Sequence, residues 1–154
     1  MSKIMFLNQS ALLDGEFDGN LYRVRFISGI NETFDALRQK GMKIVLLAKD
    51  KSLAVKMQSE FKFDYIIGNN FVSQGSNMNE LAGKDKATIV KETCRKLNVH
   101  FGEAVFLGNE GDDLKAMLTC GMGISFNSKE MSLDTEADVI IKRGELRQIL
   151  TRIK

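Results

Sequence analysis

The sequence predicts an α/β fold, a parallel sheet with helices on both faces, and the order of its apolar runs and helical segments leads there. Short apolar runs rich in β-branched or bulky residues alternate with segments of helical period. The chain has no proline, so its turns rest on Gly, Asn, Asp and Ser, as in "DGEFDGN" and "GNN".

In chain order, the first strand is Ile4–Leu7. Residues 14–27, "DGEFDGNLYRVRFI", follow as a small β-hairpin flap, because "FDGNLY" is a turn signal and Leu21, Arg23 and Arg25 alternate with Tyr22, Val24 and Phe26. Residues 30–40 form a helix with the buried stripe Ile30, Phe34 and Leu37, closed by Gly41. Then come a strand at Ile44–Leu47, a helix at 51–61 and a strand at Tyr65–Ile67. The polar stretch 68–83 is near the upper length for a connection inside a compact domain. A helix at 84–97 carries the stripe Ile89, Val90, Thr93 and Leu97, and a strand at Ala104–Leu107 leads into "GNEGDD". The chain finishes with a helix at 112–120, strands at Gly123–Phe126 and Val139–Ile141, and a helix at 144–152.

One domain over residues 1–154 suffices for this many elements, and 44% hydrophobic residues provide a core without disulfide staples. The 22 basic and 20 acidic residues leave a net charge of +2 with no basic run, which argues against a nucleic-acid partner. Cys94 and Cys120 lack any metal-binding spacing and read as reduced thiols, pointing to a cytoplasmic setting. No apolar stretch approaches the roughly 20 residues of a membrane span, and "MSKIMFLNQS" is too short for a signal-peptide core. His100 has no partner histidine and reads as a surface loop residue, while the eight methionines suit adaptable packing.

In an open parallel sheet ligands bind beyond the carboxyl ends of the strands, where the strand order reverses. Four segments should converge there: Asn8-Gln9-Ser10, Ala48-Lys49-Asp50, "GKDKA" around Lys86, and "GNEGDD". Asn109, Asp112 and Asp113 could supply oxygens to Mg²⁺, which one or two carboxylates plus water and phosphate usually hold, and Lys86 could pair with a phosphate. Alternatively, Asp112 and Asp113 cap the next helix, each contributing about 0.3–1 kcal/mol.

The ordered set "KIMFLNQS", "KIVLLAKD", "GKDKATIV", "VFLGNEGDDLKAMLTCGMGISFNSK" and "EADVIIKRGELRQIL" resembles the haloacid dehalogenase superfamily of phosphatases, on its phosphoserine phosphatase branch. The short flap in place of a large cap domain is similar to small capless members, including 3-deoxy-manno-octulosonate 8-phosphate phosphatases. The resemblance implies a nucleophile and a general acid on the first strand, an Asp-x-Asp whose positions here carry Asn8 and Ser10. It implies a phosphate-holding Ser or Thr where this chain has Ala48, and a lysine at Lys86, or at Lys84 if the loop shifts. The fourth motif, Gly-Asp-x-x-x-Asp, keeps Asp113 but has Asn109 for its first acid. An amide is no nucleophile for phosphoryl transfer, since its oxygen carries no full charge, and Ser10 cannot protonate a leaving alkoxide as a carboxylic acid does.

These departures predict a phosphatase-like protein without turnover, with a weak or vacant Mg²⁺ site at Asn109, Asp112 and Asp113. It would bind a small phosphorylated ligand or anion, act in regulation or assembly, and form a homo-oligomer through the flap residues Tyr22, Val24 and Phe26. The competing expectations are a slow Mg²⁺-dependent phosphomonoester hydrolase and a phosphometabolite sensor. Asp14, Asp18 and Asp50 are the candidate replacements for the missing nucleophile, and Arg23 and Arg25 lie either on a solvated face or on an anion or subunit contact.

Overall fold

The structure, a computed structural model, describes residues 1–153 apart from the side chain of Ser76. Seven strands form one sheet: β1 (Ile4–Asn8), β2 (Lys43–Ala48), β3 (Tyr65–Gly68), β4 (Val72–Gln74), β5 (Ala104–Gly108), β6 (Met122–Phe126) and β7 (Val139–Ile141). Their order is β4-β3-β2-β1-β5-β6-β7, and every pair is parallel except β3/β4. The chain runs outward from β1 to β4, then returns to place β5 on the other side of β1. The order therefore reverses between β1 and β5, which opens a crevice at their carboxyl ends.

Alternation along the central strands divides the core in two. Met5, Leu7, Ile44, Leu46, Val105 and Leu107 face α1 (Ile30–Gln39) and α2 (Lys51–Phe61). Ile4, Phe6, Val45, Leu47 and Phe106 face α3 (Lys86–Lys96), α4 (Leu114–Thr119) and α5 (Met131–Glu136). Phe6 and Phe106 are fully buried, and each such side chain contributes about 1.5–3 kcal/mol. Asp50 caps α2 by accepting the Leu53 amide (2.8 Å), and Asp85 caps α3 by accepting that of Thr88 (2.7 Å), which fixes Lys86 as the first residue of α3. Among the described residues no helix is long and apolar enough to cross a membrane.

The differences from expectation lie at the margins of the sheet. Residues 14–25 leave the fold as an excursion, but its antiparallel pairing is one bridge, Leu13 with Phe26, flanked by hydrogen bonds from Asp14 N to Arg25 O and from Ile27 N to Leu12 O. Beyond it the chain turns irregularly: Gly15 and Gly19 have positive φ, and Asp18 and Asn20 side chains accept nearby amides that a hairpin ladder would use. Val24 and Phe26 pack on the domain's own core, whereas Tyr22 is fully exposed. The stretch 68–83 contains β4 and a 3₁₀ turn, Ser76–Leu81, that buries Met78 and Leu81. The helix expected at 144–152 is only a 3₁₀ turn, Leu146–Ile149, because burial there needs just Leu146 and Ile149, three residues apart. The six-residue α5 escaped the periodicity because Leu133 is its single buried residue.

Gly121 follows α4 where the chain passes Gly102 backbone to backbone, and a Cβ there would lie 2.1 Å from the Gly102 carbonyl oxygen. Gly121→Ala is therefore expected to cost about 1–3 kcal/mol, read as a fall in melting temperature by calorimetry.

Candidate functional site

The crevice between β1 and β5 collects side chains from four strand-end segments. Asn8 ends β1 and is buried, 1% exposed as a residue. Its Nδ2 donates to Asn109 Oδ1 (2.7 Å), Ser10 Oγ (3.1 Å) and Glu110 Oε1 (3.2 Å), while its Oδ1 accepts from Lys86 Nζ (3.3 Å). Lys86 also donates to Asp112 (3.0 Å) and to Asp113 Oδ1 (2.5 Å). The other oxygen of Asp113 accepts the backbone amides of Asn109 and Glu110, both at 3.0 Å. Asp113 is wholly buried beneath the end of β5, a position open only because residue 108 is glycine: a Cβ there would come within 2.8 Å of the carboxylate.

The structure thus brings together Asn8, Ser10, Lys86, Asn109, Asp112 and Asp113. Ala48 and Lys84 line a small cleft beside Asn8 and Lys86, and Lys86 is the lysine that makes the contact. Asp112 reaches Lys86 and caps nothing, whereas Asp113, by accepting the Glu110 amide, closes a capping box at the 3₁₀ turn Gly111–Asp113 that runs directly into α4. Among the described residues, none of the acids weighed as replacement nucleophiles bonds to Asn8 or Lys86. Asp14 lines the same open cavity as Asn8 and Ser10, Asp18 is an exposed partner of Arg23 (3.8 Å), and Asp50 caps α2. His100 closes a turn by accepting the Gly102 amide (2.9 Å).

Two charged residues complete the crevice that motif spacing alone did not single out. Glu110 accepts from Ser10 Oγ (2.5 Å) through Oε1 and from Lys49 Nζ (2.7 Å) through Oε2. Buried Gln9 sets the approach of Lys49: its Oε1 accepts the amides of Lys49 (2.9 Å) and Asp50 (3.0 Å), and its Nε2 donates to the Asp50 carbonyl (3.1 Å). The one signal available in sequence was position, since Glu110 sits inside "GNEGDD" and Lys49 follows the second strand. An open cavity of about 1250 Å³ lies before this cluster, bounded by the 14–17 segment, Lys129 and Arg143.

Burial pushes the Glu110 carboxyl up, but hydrogen bonds from Lys49 and Ser10, the Lys49 charge and the Asn8 amide outweigh it and hold the pKa at about 2. The hydrogen bond to Glu110 correspondingly raises Lys49. For Asp113, burial is the largest influence and lifts its pKa despite Lys86. A glutamate held below its ordinary value of about 4.3 stabilises the fold fully above that pH, and the contribution disappears as pH falls toward 2. After allowance for solvent screening it is on the order of 1 kcal/mol. Urea unfolding should therefore show the gap between wild type and Glu110→Gln narrowing from about pH 6 to about pH 3.

The donor set does not fit the Mg²⁺ ion that the resemblance implies. Mg²⁺ asks for oxygen ligands in near-octahedral array, but the Lys86 ammonium already lies among the oxygens of Asn8, Asp112 and Asp113. Asp113 spends its second oxygen on two backbone amides, and Asn109 Oδ1 is held by Asn8. Among the described residues no group of three or more His, Cys, Asp or Glu could hold a metal ion.

Comparison with known proteins agrees with the fold. The chain is 27% identical over 139 residues to the phosphoserine phosphatase of Archaeoglobus fulgidus, a match covering 86% of this chain and 40% of that protein. It is 26% identical over 125 residues to that of Streptococcus thermophilus, covering 77% and 58%. The chain thus spans about half the length of the curated relatives it matches. A crystal structure of apo phosphoserine phosphatase superposes with a TM-score of 0.80 at 19% identity, covering 100% of both chains. A 3-deoxy-D-manno-octulosonate 8-phosphate phosphatase from Moraxella catarrhalis, in complex with magnesium, phosphate and KDO, gives 0.76 at 20% identity, covering 96% of this chain and 83% of that one. At these identities the structural likeness is one of fold. The family of haloacid dehalogenase-like hydrolases, however, matches residues 3–145, nearly the whole sequence, and the chain belongs to that family.

Proposed function

We propose that this phosphatase-like protein binds a phosphorylated or otherwise anionic small molecule in the β1/β5 crevice without hydrolysing it, and acts in binding, regulation or assembly. The observation that carries the proposal is Asn8, a neutral carboxamide at the end of the central strand, 3.3 Å from Lys86. A phosphoryl group placed against Lys86 would meet an amide that cannot attack it. Ser10, committed to Glu110, offers no carboxylic acid for the leaving group.

Phosphate release from a panel of phosphomonoesters with Mg²⁺ tests this directly. The expected result is no release above buffer. Activity that disappears in Asp113→Ala would overturn the proposal in favour of a slow Mg²⁺-dependent hydrolase, the activity class named for the relatives. The assembly arm of the proposal rests on the fully exposed Tyr22 within the excursion. Light scattering on a sizing column should report an oligomer that Tyr22→Ser weakens, and a monomer at all concentrations would remove this arm.

A further inference from the structure

We propose that the Glu110 carboxylate is a resident occupant of an oxyanion cradle made by Asn8 Nδ2, Ser10 Oγ and Lys49 Nζ, and that a ligand anion enters by displacing it. The inference rests on the anion-binding reading above and adds what controls that site and which anions it favours. Three donors from two strand-end segments converge on one carboxylate, at 3.2, 2.5 and 2.7 Å. An amide N–H, a hydroxyl and an ammonium around two oxygens are what a phosphate or carboxylate ligand requires. Here the chain supplies the anion itself.

The backbone of the cradle is held independently of its occupant. Asn8 is fixed by the pairing of β1 with β2, and the Lys49 backbone by Gln9. Glu110 instead belongs to the irregular segment between β5 and the turn at Gly111–Asp113, and its side chain borders the open cavity, which has room to receive it. Its pair with Lys49 is partly exposed, 54% for the lysine and 29% for the glutamate, and partly solvated pairs of that kind are weakened by water and salt. A competing anion can therefore break it.

Charge then decides which anions succeed. A monoanion that replaces Glu110 exchanges one negative charge for another beside Lys49 and gains little. A phosphate dianion brings a second charge to the same donors and to Lys86 on the far side of Asn8. The site is thus biased toward dianionic phosphoryl groups over carboxylates.

Titration calorimetry with inorganic phosphate, and with acetate as the monoanion, tests the cradle on wild type, Glu110→Ala and Glu110→Ala/Lys49→Met. Glu110→Ala should bind phosphate at least about tenfold more tightly than wild type, and Lys49→Met should abolish that gain. Wild type should prefer phosphate to acetate. Equal phosphate affinity in wild type and Glu110→Ala would overturn the occupancy while leaving the anion-binding reading standing. Binding by neither protein would remove both. Should Glu110→Ala fail to fold, Glu110→Gln, which keeps the shape and an acceptor oxygen but loses the charge, should show a smaller gain in the same direction, and no gain overturns the proposal.

Discussion

Asn8→Asp should destabilise the protein by about 2–4 kcal/mol and leave it without phosphatase activity. The substitution supplies the carboxylate that the family resemblance places at this position in name only, because the neighbourhood is built around an amide. Asn8 Nδ2 donates to Asn109 Oδ1 and Glu110 Oε1, so an oxygen in its place would face two acceptors, one of them charged. Lys86, at 3.3 Å, offsets part of this cost but already serves Asp112 and Asp113. For a chain of this length the loss corresponds to a fall in melting temperature of roughly 5–15 °C. Adding Glu110→Gly and Asn109→Asp removes one repulsive oxygen pair and supplies a second acid, so the triple variant should become more stable with Mg²⁺ present while Asn8→Asp alone should not. An Asn8→Asp protein that melts like wild type and hydrolyses phosphomonoesters would mean that one atom, and not the surrounding network, separates this chain from catalysis.

Asp113→Ala is the second large effect, expected at about 3–5 kcal/mol. The carboxylate is buried, and although burial raises its pKa, both oxygens are engaged. Its removal orphans the amides of Asn109 and Glu110 and leaves Lys86, with its side chain 17% exposed, short of its nearest counter-charge. Lys86→Met also breaks the pair, but it removes the charge that would otherwise be stranded. The double variant should therefore lose less than the sum of the two singles, with a coupling of about 1–3 kcal/mol from denaturant midpoints. Additive losses would mean that Lys86 and Asp113 are neighbours without being partners.

Taken together, these variants treat the crevice as a polar network that has closed on itself. In relatives named for phosphatase activity the same fold accommodates a substrate. Here Lys86 is satisfied by Asn8, Asp112 and Asp113, and Lys49 by Glu110. A network whose members satisfy one another is stabilising as it stands, and each member is costly to remove alone.

The six parallel strands were legible in the sequence to within a residue or two, because a strand buried on both faces needs an unbroken apolar run, and that is a local property of the chain. For the same reason the sequence determined which residues stand at the strand ends, and with them the amide at position 8. It misjudged the margins: β4, the loose excursion after Asp14 and the turn at Leu146–Ile149 bury only one or two side chains each, too few to leave a period. Only the tertiary structure decided what the strand-end residues touch. Asn8 meets Asn109 across 101 residues and Lys49 meets Glu110 across 61. Such contacts exist because the sheet order places β5 and β2 on either side of β1, and hydrophobic periodicity, which reports a residue's own neighbourhood, carries no record of that order.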